Sequence, residues 1–294
     1  MAEMEKFEIG SGALTAGVLA MGAELCSLRD AMGREFLWQA GPAWPRHAPN
    51  LFPIVGRLKD DVLRHDGKPY HLTQHGFARD RRFTWLAREK ASCRLALTDD
   101  AESRAIYPFA FRLILEYEIV GAALRISFTL ENPGAETLPA SMGAHPAFSW
   151  PLVPGITKSA HRLLFAAPEP GPIFQVKGGL LQATTIPSPV KGRTLALDEA
   201  LFDADALIFK PVNSRALRYE AEGGPALDIS WDGFTDLGIW SRRGGDFVCI
   251  EPWLGYASPA GFDGEFAEKP GLMHLAPGSS RTAGLTVRIG QARD

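Results

Sequence analysis

Two segments of this chain place a histidine and a carboxylate beside prolines and aromatic rings. The first is Gly143-Ala144-His145-Pro146-Ala147-Phe148 and the second is Ile250-Glu251-Pro252-Trp253. A third, Gln74-His75-Gly76-Phe77-Ala78-Arg79, adds another histidine next to an arginine. A proton donor and a proton acceptor with different resting pKa values are the minimum needed to move protons on and off a neutral substrate at pH 7. No cofactor motif accompanies them. The chemistry they point to is plain acid–base work on a molecule rich in hydroxyls.

Each residue carries a structural reading beside the catalytic one. His145 titrates near neutrality and can carry a proton and release it; a buried histidine satisfied by a backbone carbonyl is the alternative. Glu251 follows Phe247-Val248-Cys249-Ile250, an apolar run that reads as a buried strand. A carboxylate at the end of such a strand is partly desolvated, which raises its pKa; a strand-end ion pair is the alternative. His71 and His75 have the spacing of a metal pair on a helix. Gly67 and Pro69 make that segment turn and strand instead, no third ligand is nearby, and no metal site is expected. The aromatic residues Trp38, Phe148, Trp240 and Trp253 are core candidates first and ligand-stacking candidates second.

The elements that must position these groups are strands. Alternating or β-rich runs occur at Leu14–Ala20, Glu24–Arg29, Phe36–Trp38, Arg94–Thr98, Phe111–Val120, Leu124–Glu131, Leu207–Phe209, Ala226–Ser230, Leu237–Ser241, Phe247–Ile250 and Thr282–Ile289. In Leu124–Glu131 apolar and polar residues alternate for eight positions, as a half-buried strand requires. Val120-Gly121-Ala122-Ala123 before it reads as a hairpin, and Asn132-Pro133-Gly134 after it as a turn. Short helices are expected only near Thr98–Arg104, with Asp99 or Asp100 at the cap, and near Asp198–Ala204. The fold class is therefore all-β. One antiparallel domain over residues 1–294 is the simpler organisation; two sandwiches dividing near Pro170 is the alternative.

The 294 residues are 46% hydrophobic and carry a net charge of −3, which gives no basic field for nucleic acid. Three scattered cysteines, Cys26, Cys93 and Cys249, form no motif and favour a reducing compartment. Met1–Gly10 is not a signal peptide, and no stretch approaches the roughly 20 apolar residues of a membrane span. The expectation is a cytoplasmic protein with no membrane or nucleic-acid partner.

The chain resembles the aldose 1-epimerase (galactose mutarotase-like) family, and within it the LacX-type branch. The resemblance is spread over most of the chain. It runs through Gly22-Ala23-Glu24-Leu25, Glu35-Phe36-Leu37-Trp38, Phe52-Pro53-Ile54-Val55-Gly56-Arg57-Leu58, Tyr70 to Arg79, Tyr107-Pro108-Phe109 and Asn132. It continues in the His145 segment, Ile239-Trp240 and Glu251-Pro252-Trp253. It implies a large antiparallel β-supersandwich that interconverts the α and β anomers of a free aldohexose without a cofactor, as a monomer or homodimer. It further implies His145 as general acid, Glu251 as general base and His75 as a second active-site histidine. Arg57 would hold sugar hydroxyls, as would Asp205, with Asp203 as its alternative. Beside these, Arg79 is expected to orient Glu251 or another carboxylate, and Phe148 or Trp253 to touch the ligand because each sits beside a proposed catalytic residue. Two other functions stay open: a hexose-6-phosphate mutarotase using Arg79, Arg81 and Arg82, and a carbohydrate-binding protein without turnover.

Overall fold

The computed structural model describes residues 5–290, so the reading of Met1–Gly10 lies partly outside the described residues. Two large sheets dominate. One has nine strands, in the order Thr194–Ala196, His161–Phe165, Ala216–Ala221, Ala226–Asp232, Ser280–Gly290, Ala123–Glu131, Arg112–Val120, Ser92–Thr98 and Thr84–Arg88. The other orders Leu180–Ile186, Ile173–Lys177, Leu207–Phe209, Asp236–Trp240, Phe247–Leu254, Met142–Ala144 and Asn50–Leu51, with Ala147–Ser149 also pairing Phe247–Leu254. Every pairing between these strands is antiparallel. The architecture is the all-β antiparallel supersandwich that the sequence pattern and the resemblance led us to expect.

Local sequence accounts for much of this. The alternation in Leu124–Glu131 becomes a half-buried strand, with Leu124, Ile126, Phe128 and Leu130 inside and Arg125 exposed. Its hairpin turn forms at Gly121, whose φ of +62° is a conformation glycine adopts freely. The sheets meet through a continuous apolar cluster. Phe165 of the nine-stranded sheet packs on Phe209 of the other, with ring centroids 5.4 Å apart. The nine-stranded sheet takes strands from both sides of Pro170.

Among the described residues, one α-helix forms, Ala101–Arg104. Asp100 caps it by accepting the Ser103 N–H at 2.6 Å. The second helical expectation becomes a 3₁₀ turn, Glu199–Phe202, with Asp198 at its N-cap. Phe36–Trp38 contributes only an isolated bridge, Leu37 to Phe148. No helix among the described residues is long and apolar enough to cross a membrane.

Candidate active site

Met142–Ala144 and Ala147–Ser149 pair with the same strand in one register: Gly143 lies opposite Trp253, and Ala147 opposite Cys249. Counting between those pairs sets His145 opposite Glu251. The ladder is broken there by Pro146 and Pro252, which have no N–H to give; the Pro146 carbonyl accepts the Ile250 N–H at 3.3 Å. The side chains meet: His145 Nε2 is 3.2 Å from Glu251 Oε2, and both residues are buried. The strand carrying Glu251 runs to Leu254, so the glutamate is mid-strand rather than at a strand end. Neighbours on both edges, Asp236–Trp240 on one and the two short strands on the other, hold the chain extended through Pro252.

Successive side chains in a strand point to opposite faces, and this decides which neighbours reach the site. Trp253, two residues from Glu251, shares its face and lines the same cleft. Phe148, three residues from His145, points the other way. It is fully buried in the core and does not line the cleft. Trp253 needs two glycines. A Cβ on Gly238 would come within 2.3 Å of its ring, and one on Gly143 within 2.5 Å.

His75 is held in the left-handed region at φ +65°, between the Gly56 carbonyl, which accepts its N–H at 2.7 Å, and Gly76. A Cβ on Gly76 would fall 2.2 Å from the Phe52 carbonyl oxygen. The Gly56 N–H donates to His75 Nδ1 at 3.1 Å. In the neutral ring the proton therefore sits on Nε2. The His75 and His145 rings meet edge to face at 5.6 Å. Trp44 stacks on His145 at 5.0 Å and 24°, and Trp240 meets it edge-on at 5.9 Å.

Burial brings the His145 imidazole down to about 3, with Arg79 and Arg46 pushing the same way. Burial, then His145, Arg79 and Arg46, hold His75 well below its ordinary value. Glu251 is pushed well up, first by burial and then by the Asp205 carboxylate. The Trp253 indole opposes that rise, although its N–H has no partner in hydrogen-bond geometry. These groups open onto a cleft of about 670 Å³, within the size range of small-molecule sites.

Arg79, Asp203, Asp205 and Trp253 line this cleft with His75, His145 and Glu251. Arg79 donates to the Gln74 carbonyl at 2.7 Å. Asp205 stands at φ +83°, accepts the Ala206 N–H at 2.8 Å and lines the cleft, and its negative charge adds to the rise at Glu251. Arg57 is not in the lining. Its guanidinium donates to both Asp61 carboxylate oxygens, at 2.6 and 2.5 Å. Arg81 and Arg82 also lie outside the lining, paired with Glu102 and Glu5.

Sequence reasoning passed over Trp44, Lys177, Arg242 and Arg243, which also line the cleft. Lys177 ends the strand Ile173–Lys177 and the other three lie in loops; none belongs to a motif, and only the fold reveals them. His145, Cys249 and Glu251 place three potential metal-donor atoms within 4.8 Å of one another. Burial holds the Cys249 thiol well above its ordinary pKa, so a cation there would have to displace its proton.

The family model described as aldose 1-epimerase matches residues 5–288. Protein LacX, chromosomal, of Lactococcus lactis is 31% identical over 282 residues, covering 92% of this chain and 94% of that protein. Among solved structures, the galactose mutarotase related enzyme of Lactobacillus acidophilus superposes with a TM-score of 0.91 at 32% identity, covering 99% of both chains. A galactose mutarotase-like protein of Lactobacillus casei gives a TM-score of 0.90 at 25% identity, covering 97% of this chain and 100% of the other.

Proposed function

The chain belongs to the aldose 1-epimerase family, and from that premise we propose that it interconverts the α and β anomers of an aldose with a free C1 hydroxyl. The observation that carries this reading is the cross-strand contact of 3.2 Å between His145 and Glu251 at the wall of the cleft. The hydroxyl oxygen and the ring oxygen of a hemiacetal are bonded to the same carbon. Two groups this close together reach both.

Glu251 takes the proton from the C1 hydroxyl while His145 gives one to the ring oxygen. The C1–ring-oxygen bond breaks, its electron pair going to the oxygen, and the C1 carbonyl forms. Rotation about C1–C2 presents the other carbonyl face, and closure reverses both transfers. Ring opening leaves Glu251 protonated and His145 neutral. That is the state burial favours for both groups. The charged working pair arises from it by one proton crossing between them, with no change in total charge.

The remaining residues bind and orient the sugar. The neutral His75 offers its Nε2–H to a sugar oxygen near the reacting centre. Asp205 accepts from sugar hydroxyls, Arg79 donates to them, and the Trp253 ring packs on the apolar face of the sugar. The chemistry proposed for the pair is complete without a cofactor. We also assign the chain to one domain, a reading supported by the nine-stranded sheet that draws strands from both sides of Pro170.

Polarimetry on freshly dissolved glucose and galactose tests the reading with Glu251→Gln and His145→Asn. Each is expected to slow anomer exchange by about 10²- to 10⁴-fold. Wild-type rates in both variants would refute the assignment. Sugar binding by a wild-type protein that does not speed exchange would instead identify a binding protein.

A further inference from the structure

Surface arginines of this protein commonly meet a carboxylate: Arg57 with Asp61, Arg104 with Asp99, Arg112 with Glu131. The cleft rim differs. Lys177 and Arg243 line it and have neither an ion-pair nor a hydrogen-bond partner among the described residues. Among the described residues, Arg242 beside them donates only to the Ala43 carbonyl, at 3.3 Å.

The fold brings these cations together. Ile173–Lys177 and Asp236–Trp240 are each antiparallel to Leu207–Phe209, so the two run in the same direction. Lys177 and the turn holding Arg242 and Arg243 therefore leave the sheet at the same end, and all three line the cleft. Gly238 lies opposite Glu251, and Arg242 is four residues further along. That is roughly 13 Å of extended chain, which a long arginine side chain folding back shortens toward the length of a substituted hexose. With Arg79, the cleft presents four cations against Asp203, Asp205 and a Glu251 whose burial favours its protonated form.

A neutral sugar leaves Lys177 and Arg243 without a counter-charge. Resting on the epimerase reading, we propose that the aldose this cleft takes carries an anionic group, a phosphate or a carboxylate, remote from C1 and held by Lys177 and Arg243. Guanidinium and ammonium groups make their strongest hydrogen bonds to such anions, and an unpaired cationic rim also draws them in from solution. The basic run Arg79, Arg81 and Arg82, which the sequence offered as a phosphate grip, does not form one. The role falls instead to Lys177 and Arg243.

The test compares glucose, glucose 6-phosphate and glucuronate. Anomer exchange is followed by two-dimensional NMR above the spontaneous rate, in the wild type, in the Lys177→Ala/Arg243→Ala double variant and in Arg243→Lys. Calorimetry measures binding of the same sugars and of inorganic phosphate at low and high salt. The wild type is expected to show at least a tenfold higher kcat/KM on an anionic sugar than on glucose. The double variant should cut that ratio by about 10- to 100-fold, as expected for loss of hydrogen bonds to a charged group. Arg243→Lys should retain part of it, and salt should weaken anion binding. Preference for glucose 6-phosphate alone identifies phosphate, and preference for both anionic sugars identifies any anion. An equal or lower kcat/KM on both anionic sugars, or a ratio the double variant leaves unmoved, overturns the proposal. Absent exchange with charge-dependent binding would uphold the anion site and overturn the epimerase reading; absent exchange and absent binding would overturn both.

Discussion

His145 and Glu251 face each other across neighbouring strands, in a register fixed on one side by Gly143 opposite Trp253 and on the other by Ala147 opposite Cys249. A slip of one residue would turn either side chain to the opposite face of the sheet. The contact between them is therefore anchored by backbone pairing at both ends, and the apolar layer of Ala147, Cys249 and Phe247 lies beside it on the same face.

The burial that tunes Glu251 also weakens the fold at high pH. Its folded pKa is raised, so its contribution to stability is fully present below the unfolded value near 4.5 and is lost as pH rises through the folded one. Each pH unit in that window costs about 1.4 kcal/mol. Glu251→Gln removes the titration, so its melting temperature should overtake that of the wild type, by a margin that widens above pH 4.5. His145, lowered to about 3, has the opposite sign: its contribution is present above 6.5 and is lost as pH falls toward 3. His145→Asn should flatten the acid limb. Thermal melts between pH 4 and 9 measure both, and parallel curves for wild type and variants would contradict this account.

Gly238→Ala should disturb the site without touching a titrating group. The new methyl would press into the Trp253 ring, which is nearly enclosed between Gly238 and Gly143. Overpacking of this kind costs about 1–3 kcal/mol, or several degrees of melting temperature in a protein of this size. We expect KM for the sugar to rise as the ring shifts. Gly12→Ala, where a Cβ meets nothing within 4 Å, is the control. Equal melting temperatures for the two variants would show that the ring yields freely.

Trp44 covers the imidazole of His145. Trp44→Ala should admit water to that ring and let its pKa climb from about 3 toward 6.5. An NMR titration of the imidazole reads this directly, and the exchange rate should fall with it. An unmoved titration would mean that other groups supply the burial.

His75→Asn separates backbone from ring. Asparagine tolerates the left-handed region that His75 occupies, whereas a β-branched residue does not. The asparagine variant should fold normally and lose anomer-exchange rate, while His75→Val should melt earlier. An asparagine variant with wild-type kinetics would remove the ring from the reaction.

Much of the scaffold was legible in local sequence. The two-residue period of Leu124–Glu131, the Gly121 turn and the Asp100 cap each express a short-range preference, and each appears in the fold. The apolar run Phe247–Ile250 marks a strand with Glu251 at its end, because its hydrophobic residues stop there. Pairing on both edges carried it further. Aromatic residues near the site divided by parity. Trp253, at an even spacing from Glu251, reached the cleft; Phe148, at an odd spacing from His145, went into the core.

The sequence by itself determined the chemistry on offer and the strands that carry it, because side-chain type and hydrophobic period are local properties. The tertiary structure alone decided that His145 meets Glu251, that Arg57 turns to Asp61 rather than to the cleft, and that Lys177 and Arg243 line one cleft with Arg79. Those relations join residues tens to more than a hundred positions apart, or depend on which neighbour takes a charge. Strand order and register fix them, and no local pattern encodes either.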